Sequence, residues 1–339
     1  MFSLKPFSDG LNLGPFGPWM LLALFIGSSI LLIWRLEHMT ETGVEGTVLG
    51  TLVMPYCSGI SNLIFVFVVY ANHQPATEVM TNCLVNNITN MTLMMGVPAI
   101  LWGMRIIPTP AAAKGKRRKK NDKNRQEHQM NRLSLLLTLT AVLFFTGAVW
   151  ALGRDGTLTR NDGLVLVGLF LFWQCFHVFD VLKANVRKNK SLNWTLLVDF
   201  VLLLIGGYGT YVSIDGLVAW ISHIHTGFVS AKYLGWLSGW LMVLPNGLLA
   251  LYYGWKRHPE IIYTSQVGDS HICIPLSVGI YSLMTDMAVP EFFQAGVLVL
   301  VGATLIHLLF VALFGQLPRV MGWVLTAGYG VFVYVGLFR

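Results

Sequence analysis

Charge is what this chain has least of. Of its 339 residues only 12% are Asp, Glu, Lys or Arg, while 55% are hydrophobic. That excludes a water-soluble domain, in which about a quarter of the residues are charged, and leaves a polytopic membrane protein. Cysteine is also scarce. Cys57, Cys83, Cys175 and Cys273 all fall in apolar segments, which excludes a disulfide framework as the organising device. No cleavable signal is read, because the first apolar run is long enough to span. Zinc-helix, Gly-rich phosphate and nucleophile–base signatures are missing too, so neither an enzyme nor a cofactor is expected.

What charge there is sits in one place. "KGKRRKKNDKNR", Lys114 to Arg125, holds eight of the 23 Lys and Arg and dominates the net charge of +7. Such a run is expected to be a solvated cytoplasmic loop that fixes topology, with anionic lipid or a regulatory partner as the alternative role. It has no interleaved aromatics, so nucleic acid is not an expected partner.

Apolar runs of about 20 residues or more fall near 18–36, 44–71, 77–104, 132–153, 160–183, 193–221, 232–255, 260–286, 291–315 and 319–338. Placing the basic 105–131 loop inside puts 18 of the 23 Lys and Arg inside and both termini on the non-cytoplasmic side, as the positive-inside rule requires. The expected fold is all-α: ten transmembrane helices in two five-span halves, 1–183 and 193–339, joined by a cytoplasmic loop at 184–192. Five spans per half is the odd number that an inverted-topology duplication needs.

The stretch "NCLVNNITNMTLMMG", Asn82 to Gly96, carries four Asn inside a span, where an unpartnered amide is costly. Spans two and three align on spans seven and eight, as repeats of about 50–101 and 235–286. Asn62 falls on Asn246, "VVYANHQP" on "YYGWKRHP", and Pro75 on Pro259. After one gap Asn82 falls on Ser265, Asn86 on Asp269, Asn90 on Cys273 and Gly96 on Gly279. Residues 82, 86 and 90 are four apart and share one helical face, as do 265, 269 and 273. Asn87 lies off that face and is expected to bond a neighbouring helix. Pro98, Pro245, Pro275, Gly59, Gly247 and Gly268 are expected to break or bend these rods and expose carbonyls that coordinate ions.

These segments resemble the cation/calcium exchanger superfamily, which includes the sodium/calcium exchangers. "LPNGLLALYYGWKRHP" resembles the family's Leu-Pro-Glu helix and basic turn. "VGDSHICI" and "VNNITNM" resemble its Gly-Ser-Asn-x-x-Asn/Asp segment. The resemblance covers about 100 residues and implies ten spans in two inverted halves, with an ion site between spans two, three, seven and eight. In this chain Asn62 and Asn246 stand where the family has its two Glu, Asn86 and Asp269 replace its Ser, and Asn90 and Cys273 take the final position.

The candidate ion-binding residues are therefore Asn62, Asn82, Asn86, Asn90, Asn246, Ser265, Asp269 and Cys273, with Ser58, Ser61, Ser270 and His271 as further candidates and Asp269 as the metal-bearing carboxylate. Hard amide and hydroxyl oxygens around one carboxylate suit a monovalent cation or a partly hydrated magnesium. The expected function is exchange of an inorganic cation (sodium, calcium, magnesium or another) against sodium or protons by alternating access. The alternatives are a transition-metal transporter using Asp269, His271 and Cys273, and a degenerate exchanger fold that senses or scaffolds. Asp199, His307 and the pair His177 and Asp180 are expected to be structural. Glu41, Glu45 and Glu78 are read as caps at span ends, Glu78 also as an ion-attracting mouth. Glycosylation patterns at Asn87, Asn90 and Asn193 fall within spans or inside and are discounted.

Overall fold

The computed structural model describes the backbone of residues 17–41, 48–106, 118–185 and 195–338, with side-chain surroundings for 17–35, 38, 59–106, 132–176 and 197–338. The side chains of Glu41, Cys57, Ser58, His177 and Asp180 lie outside the described residues. So do Glu45, Asn193 and Lys114 to Arg117 altogether.

A helix satisfies its own backbone within one segment, which is why apolar runs of this length fold as helices in lipid. Among the described residues there are ten helical rods. They are α1 (Gly17–Glu41), α2 (Val48–Ala71), α3 (Thr77–Thr89) running through a π-helical segment (Asn90–Met94) into α4 (Met95–Trp102), α5 (Arg118–Leu152), α6 (Arg160–Asn185) and α7 (Thr195–Ser222). The rest are α8 (Leu234–Lys256), α9 (Pro259–His271) running through a second π-helical segment (Ile272–Ser277) into α10 (Val278–Met284), α11 (Phe293–Phe314) and α12 (Arg319–Phe338). The rods follow the ten expected spans. Seven described helices are long and apolar enough to cross a membrane. Trp19, Phe172, Leu204, Leu298, Leu313 and Trp323 are all exposed, a surface that calls for lipid rather than water. The protein is an all-α polytopic membrane protein.

Two expectations are corrected. The basic stretch is helical from Arg118 onward, so the expected loop to 131 is shortened. With 35 residues, α5 is about 52 Å long against a hydrocarbon core of about 30 Å. The second correction concerns the breaks. Gly59 lies inside an unbroken α2, Pro245 and Gly247 inside an unbroken α8, and Gly268 inside α9. The interruptions are the two π segments. In the second, Ile274 is extended (φ −127°, ψ 114°) just before Pro275, whose ring disfavours the α conformation of the residue preceding it.

The chain forms two compact units: Met1–Asn86, Leu152–Pro245 and Ile272–Pro290 in the first, Asn87–Ala151, Asn246–His271 and Glu291–Arg339 in the second. In the first unit α1 lies along α7 and α10 packs on α6. In the second α4 packs on α12, and the π segment before it touches α9, α11 and α12.

The same local devices occur in each unit at positions the alignment pairs. In the first unit α2 ends with His73 left-handed (φ 51°), Gln74 N–H on Val69 O at 3.0 Å and His73 N–H on Tyr70 O at 3.2 Å. In the second, α8 ends with Arg257 left-handed (φ 65°), His258 N–H on Tyr253 O at 2.9 Å and Arg257 N–H on Gly254 O at 3.1 Å. Both are Schellman turns built without glycine. Each unit also carries one two-residue antiparallel ladder. β1 (Met104–Arg105) pairs with β4 (Gln316–Leu317) in the second, and β2 (Thr157–Leu158) with β3 (Met287–Ala288) in the first.

A close glycine contact accompanies each ladder. In the second unit a Cβ on Gly96 would lie 3.0 Å from Gly322 O; in the first, a Cβ on Gly163 would lie 2.8 Å from Gly279 O. Gly163 and Gly322 are each the fourth residue of their helix, after Arg160 and Arg319. Main chain cannot yield as a side chain can. Gly163→Ala is therefore expected to destabilise the protein by about 1–3 kcal/mol, the usual cost of overpacking. Gly27→Ala, whose Cβ would meet nothing within 4 Å, should leave thermal unfolding in detergent nearly unchanged. Equal unfolding temperatures for the two variants would refute the close-packing account.

Candidate ion-binding site

Each unit holds one buried polar cluster, carried by α2, α3 and α8 in the first and by α3, the π segment Asn90–Met94, α8, α9 and α11 in the second. In the first unit Asn86 Nδ2 donates to Asn62 Oδ1 at 3.2 Å, and Asn82 Nδ2 donates to Ser238 Oγ at 3.0 Å. All four residues are buried, as is Ser61. Cys273 also belongs to this unit and is fully buried.

In the second unit the centre is Asp269, with no exposed surface. Its Oδ2 accepts from Asn90 Nδ2 at 2.8 Å and from Asn246 Nδ2 at 3.2 Å. Both donors are neutral amides, so they solvate the carboxylate without neutralising it. The two pairs that the alignment equates, Asn62 with Asn86 and Asn246 with Asp269, are both hydrogen bonded at 3.2 Å. The same contact recurs once per unit, with an acid in the second and an amide in the first.

The helix interruptions explain which further side chains are recruited. In the second interrupted rod Asn87 Nδ2 donates to Ser270 O at 3.1 Å, four residues before the extended Ile274. In the π segment Met95 N–H turns to Thr92 O, and Met91 O, which it would otherwise serve, receives His307 Nε2 at 2.8 Å. A carbonyl only accepts, so Nε2 carries the proton and Nδ1 accepts from the Tyr263 hydroxyl at 3.0 Å. His307 on α11 therefore ties α9 to the π segment that begins at Asn90. Gln266 Nε2 donates to Asn246 O at 3.1 Å, and Ser270 Oγ to Gln266 O at 3.0 Å.

Not every expected residue joins these clusters. Ser265 is half-buried and has no hydrogen-bonding partner among the described residues. His271 faces α5, with Nε2 against Thr138 O at 3.0 Å and its ring edge-on to Phe145. Among the described residues no group of three or more His, Cys, Asp or Glu side chains is placed to hold a metal. Sequence reasoning missed Gln266 and Ser238, and gave Asn87 only a helix-bonding role, which the structure bears out. Glu78 caps a helix other than its own: its Oε2 accepts Gly235 N–H at 2.5 Å in the first turn of α8. Asp199 pairs with Arg35 at 3.2 Å and His38 at 3.0 Å on α1.

Residues 15–179 match the family model for the sodium/calcium exchanger protein. That match covers just under half of the chain. Its fold matches solved structures of the sodium-calcium exchanger NCX_Mj. The form soaked with 10 mM Na+ and 10 mM Sr2+ superposes with a TM-score of 0.60 at 20% identity, covering 95% of this chain and 98% of that one. The form with 10 mM Na+ and zero Ca2+ gives 0.62 at 19%, covering 96% and 97%. The form with 2.5 mM Na+ and 0.1 mM Ca2+ gives 0.59 at 22%, covering 96% and 97%. At such identities the likeness shows the fold. No curated protein matches the chain by sequence.

Replacing His307 by Leu leaves Met91 O and the Tyr263 hydroxyl without their partner, at about 1–3 kcal/mol per buried group. Thermal unfolding of His307→Leu in detergent should fall accordingly, while His307→Gln, whose amide still donates to Met91 O, should recover part of the loss. Identical losses for Leu and Gln would rule out the carbonyl bond as the cause.

Proposed function

We propose that this protein is a secondary active transporter that exchanges one inorganic cation against sodium or protons by alternating access, through residues of spans two, three, seven and eight. The observation that carries this reading is Asp269: a carboxylate without exposed surface, near the middle of an interrupted rod, whose Oδ2 is solvated by the amides of Asn90 and Asn246. A buried ionisable group of this kind inside a membrane rod marks an ion path. A carboxylate can hold a proton or a cation in turn, which is the elementary requirement of antiport.

The donor set favours hard cations. Amide and carboxylate oxygens suit monovalent or hydrated divalent ions, and the engagement of His271 with Thr138 O argues against the softer set of Asp269, His271 and Cys273. With neutral Asn62 and Asn246 at the family's two acidic positions, the transported charge is expected to be low. The positive-inside pattern supports both termini on the non-cytoplasmic side. The basic residues Lys114 to Arg125, partly on the extension of α5, are suited to anionic lipid headgroups.

Flux into proteoliposomes, with sodium, proton and calcium gradients imposed in turn, tests the reading. Coupled flux in the parent protein and its loss in Asp269→Asn are the expected results. Coupled flux of unchanged size and pH dependence in Asp269→Asn would remove Asp269 from the mechanism. No flux under any gradient would favour a sensing or scaffolding role.

A further inference from the structure

Two amides beside Asp269 have one end tied and the other left over. Asn87 Nδ2 is bound to Ser270 O and Gln266 Nε2 to Asn246 O, each at 3.1 Å. Both bonds are to main chain, so they hold each amide in one orientation. The other ends, Asn87 Oδ1 and Gln266 Oε1, are buried and have no hydrogen-bonding partner among the described residues. Asn87 is 1% exposed and Gln266 0%. Leaving such an acceptor unsatisfied costs about 1–3 kcal/mol, and the chain does so twice within one network.

We propose that Asn87 and Gln266 are cation ligands, and that with Asp269 they make a site for a dehydrated monovalent cation. The proposal rests on the transport reading and deepens it. Both amides are connected to the carboxylate through the bonds above. Ser270, which accepts from Asn87, follows Asp269 in the chain. Gln266 lies three residues before Asp269, on the same side of α9, and Asn246, which accepts from Gln266, itself donates to Asp269 Oδ2. A water would also satisfy two orphan acceptors. The carboxylate decides between them, because a unit negative charge in a medium of low dielectric attracts a cation far more strongly than a neutral dipole. The amides add no charge, so one carboxylate balances one positive charge. A divalent ion would be left with excess charge away from water, which is expensive.

The test uses the full-length protein in lipid nanodiscs. Thermal stabilisation is titrated with sodium, potassium, lithium and calcium chlorides, choline chloride serving as the ionic-strength control, for the parent and for Asn87→Ala, Gln266→Leu and Gln266→Glu. The parent is expected to be stabilised by at least one monovalent cation. Asn87→Ala and Gln266→Leu should each raise the half-saturating concentration by about tenfold or more, as for loss of one ligand to a charged group. Gln266→Glu keeps the side-chain volume and adds a second carboxylate, so its preference should move from the monovalent ion toward calcium. That variant decides the matter if either truncation fails to fold. Stabilisation of the parent with unchanged half-saturation and unchanged ion preference in the variants would overturn this inference and leave the transport reading standing; it is the outcome expected if water occupies the two oxygens. No response of the parent to any cation would overturn both.

Discussion

In hydrocarbon a main-chain carbonyl has no water to turn to, and this constraint organises the polar interior. Two rods, α3–α4 and α9–α10, are interrupted by π segments, so some of their carbonyls lose their usual helical donors. Side chains bond carbonyls beside the interruptions: Asn87 that of Ser270, and His307 that of Met91, from which the Met95 N–H has turned away. The polar residues that look costly in a sequence of apolar spans are thus required by the interruptions beside them. They also fix the interruptions in place, because a side chain locked onto a carbonyl holds that carbonyl out of the helical ladder.

Charge is distributed unevenly over a repeated geometry. Asn86 with Asn62, and Asp269 with Asn246, make the same 3.2 Å contact in their respective units. The first pair is neutral and the second carries one negative charge. The paired Schellman turns at His73 and Arg257 and the paired ladders show that backbone devices recur where side-chain identity has drifted. Such a scaffold can lose most of its charge without losing its shape, since the shape rests on glycine contacts, turns and carbonyl partners rather than on acids.

This explains what could be read from the sequence. The ten rods were legible because a span is an average over about 20 residues, and no single substitution hides it. The pairing of Asn62 with Asn246 and of Asn86 with Asp269 was legible because polar residues at fixed spacing stand out against apolar spans. The bonding partners of Gln266, Glu78 and His307 were not. Each bonds a main-chain atom, Asn246 O, Gly235 N–H and Met91 O respectively, and a main-chain atom has no letter in the sequence. Proline misled for a related reason. Pro245 and Pro275 both remove an N–H, but only around Pro275 does the chain leave the helix, at Ile274. That difference lies in the packing around each residue, which a local window does not contain.

Four described acids of the rods, three buried and Glu78 half-buried, can then be sorted by their partners. Asp199 meets Arg35 and His38. Glu78 accepts a helix-terminal N–H from Gly235. Asp215 accepts from Asn72, just beyond the end of α2. These three lie toward rod ends, where opposite charge, a helix terminus or a turn residue is at hand, and each serves the fold. Asp269 lies near the middle of its rod, and its Oδ2 accepts from Asn90 and Asn246, members of the polar rows that the alignment pairs. An ion pair or a cap stabilises a carboxylate permanently, which suits structure. Asp215 too is held by an amide, that of Asn72, so what sets Asp269 apart is its place near mid-rod, among the polar rows that the alignment pairs.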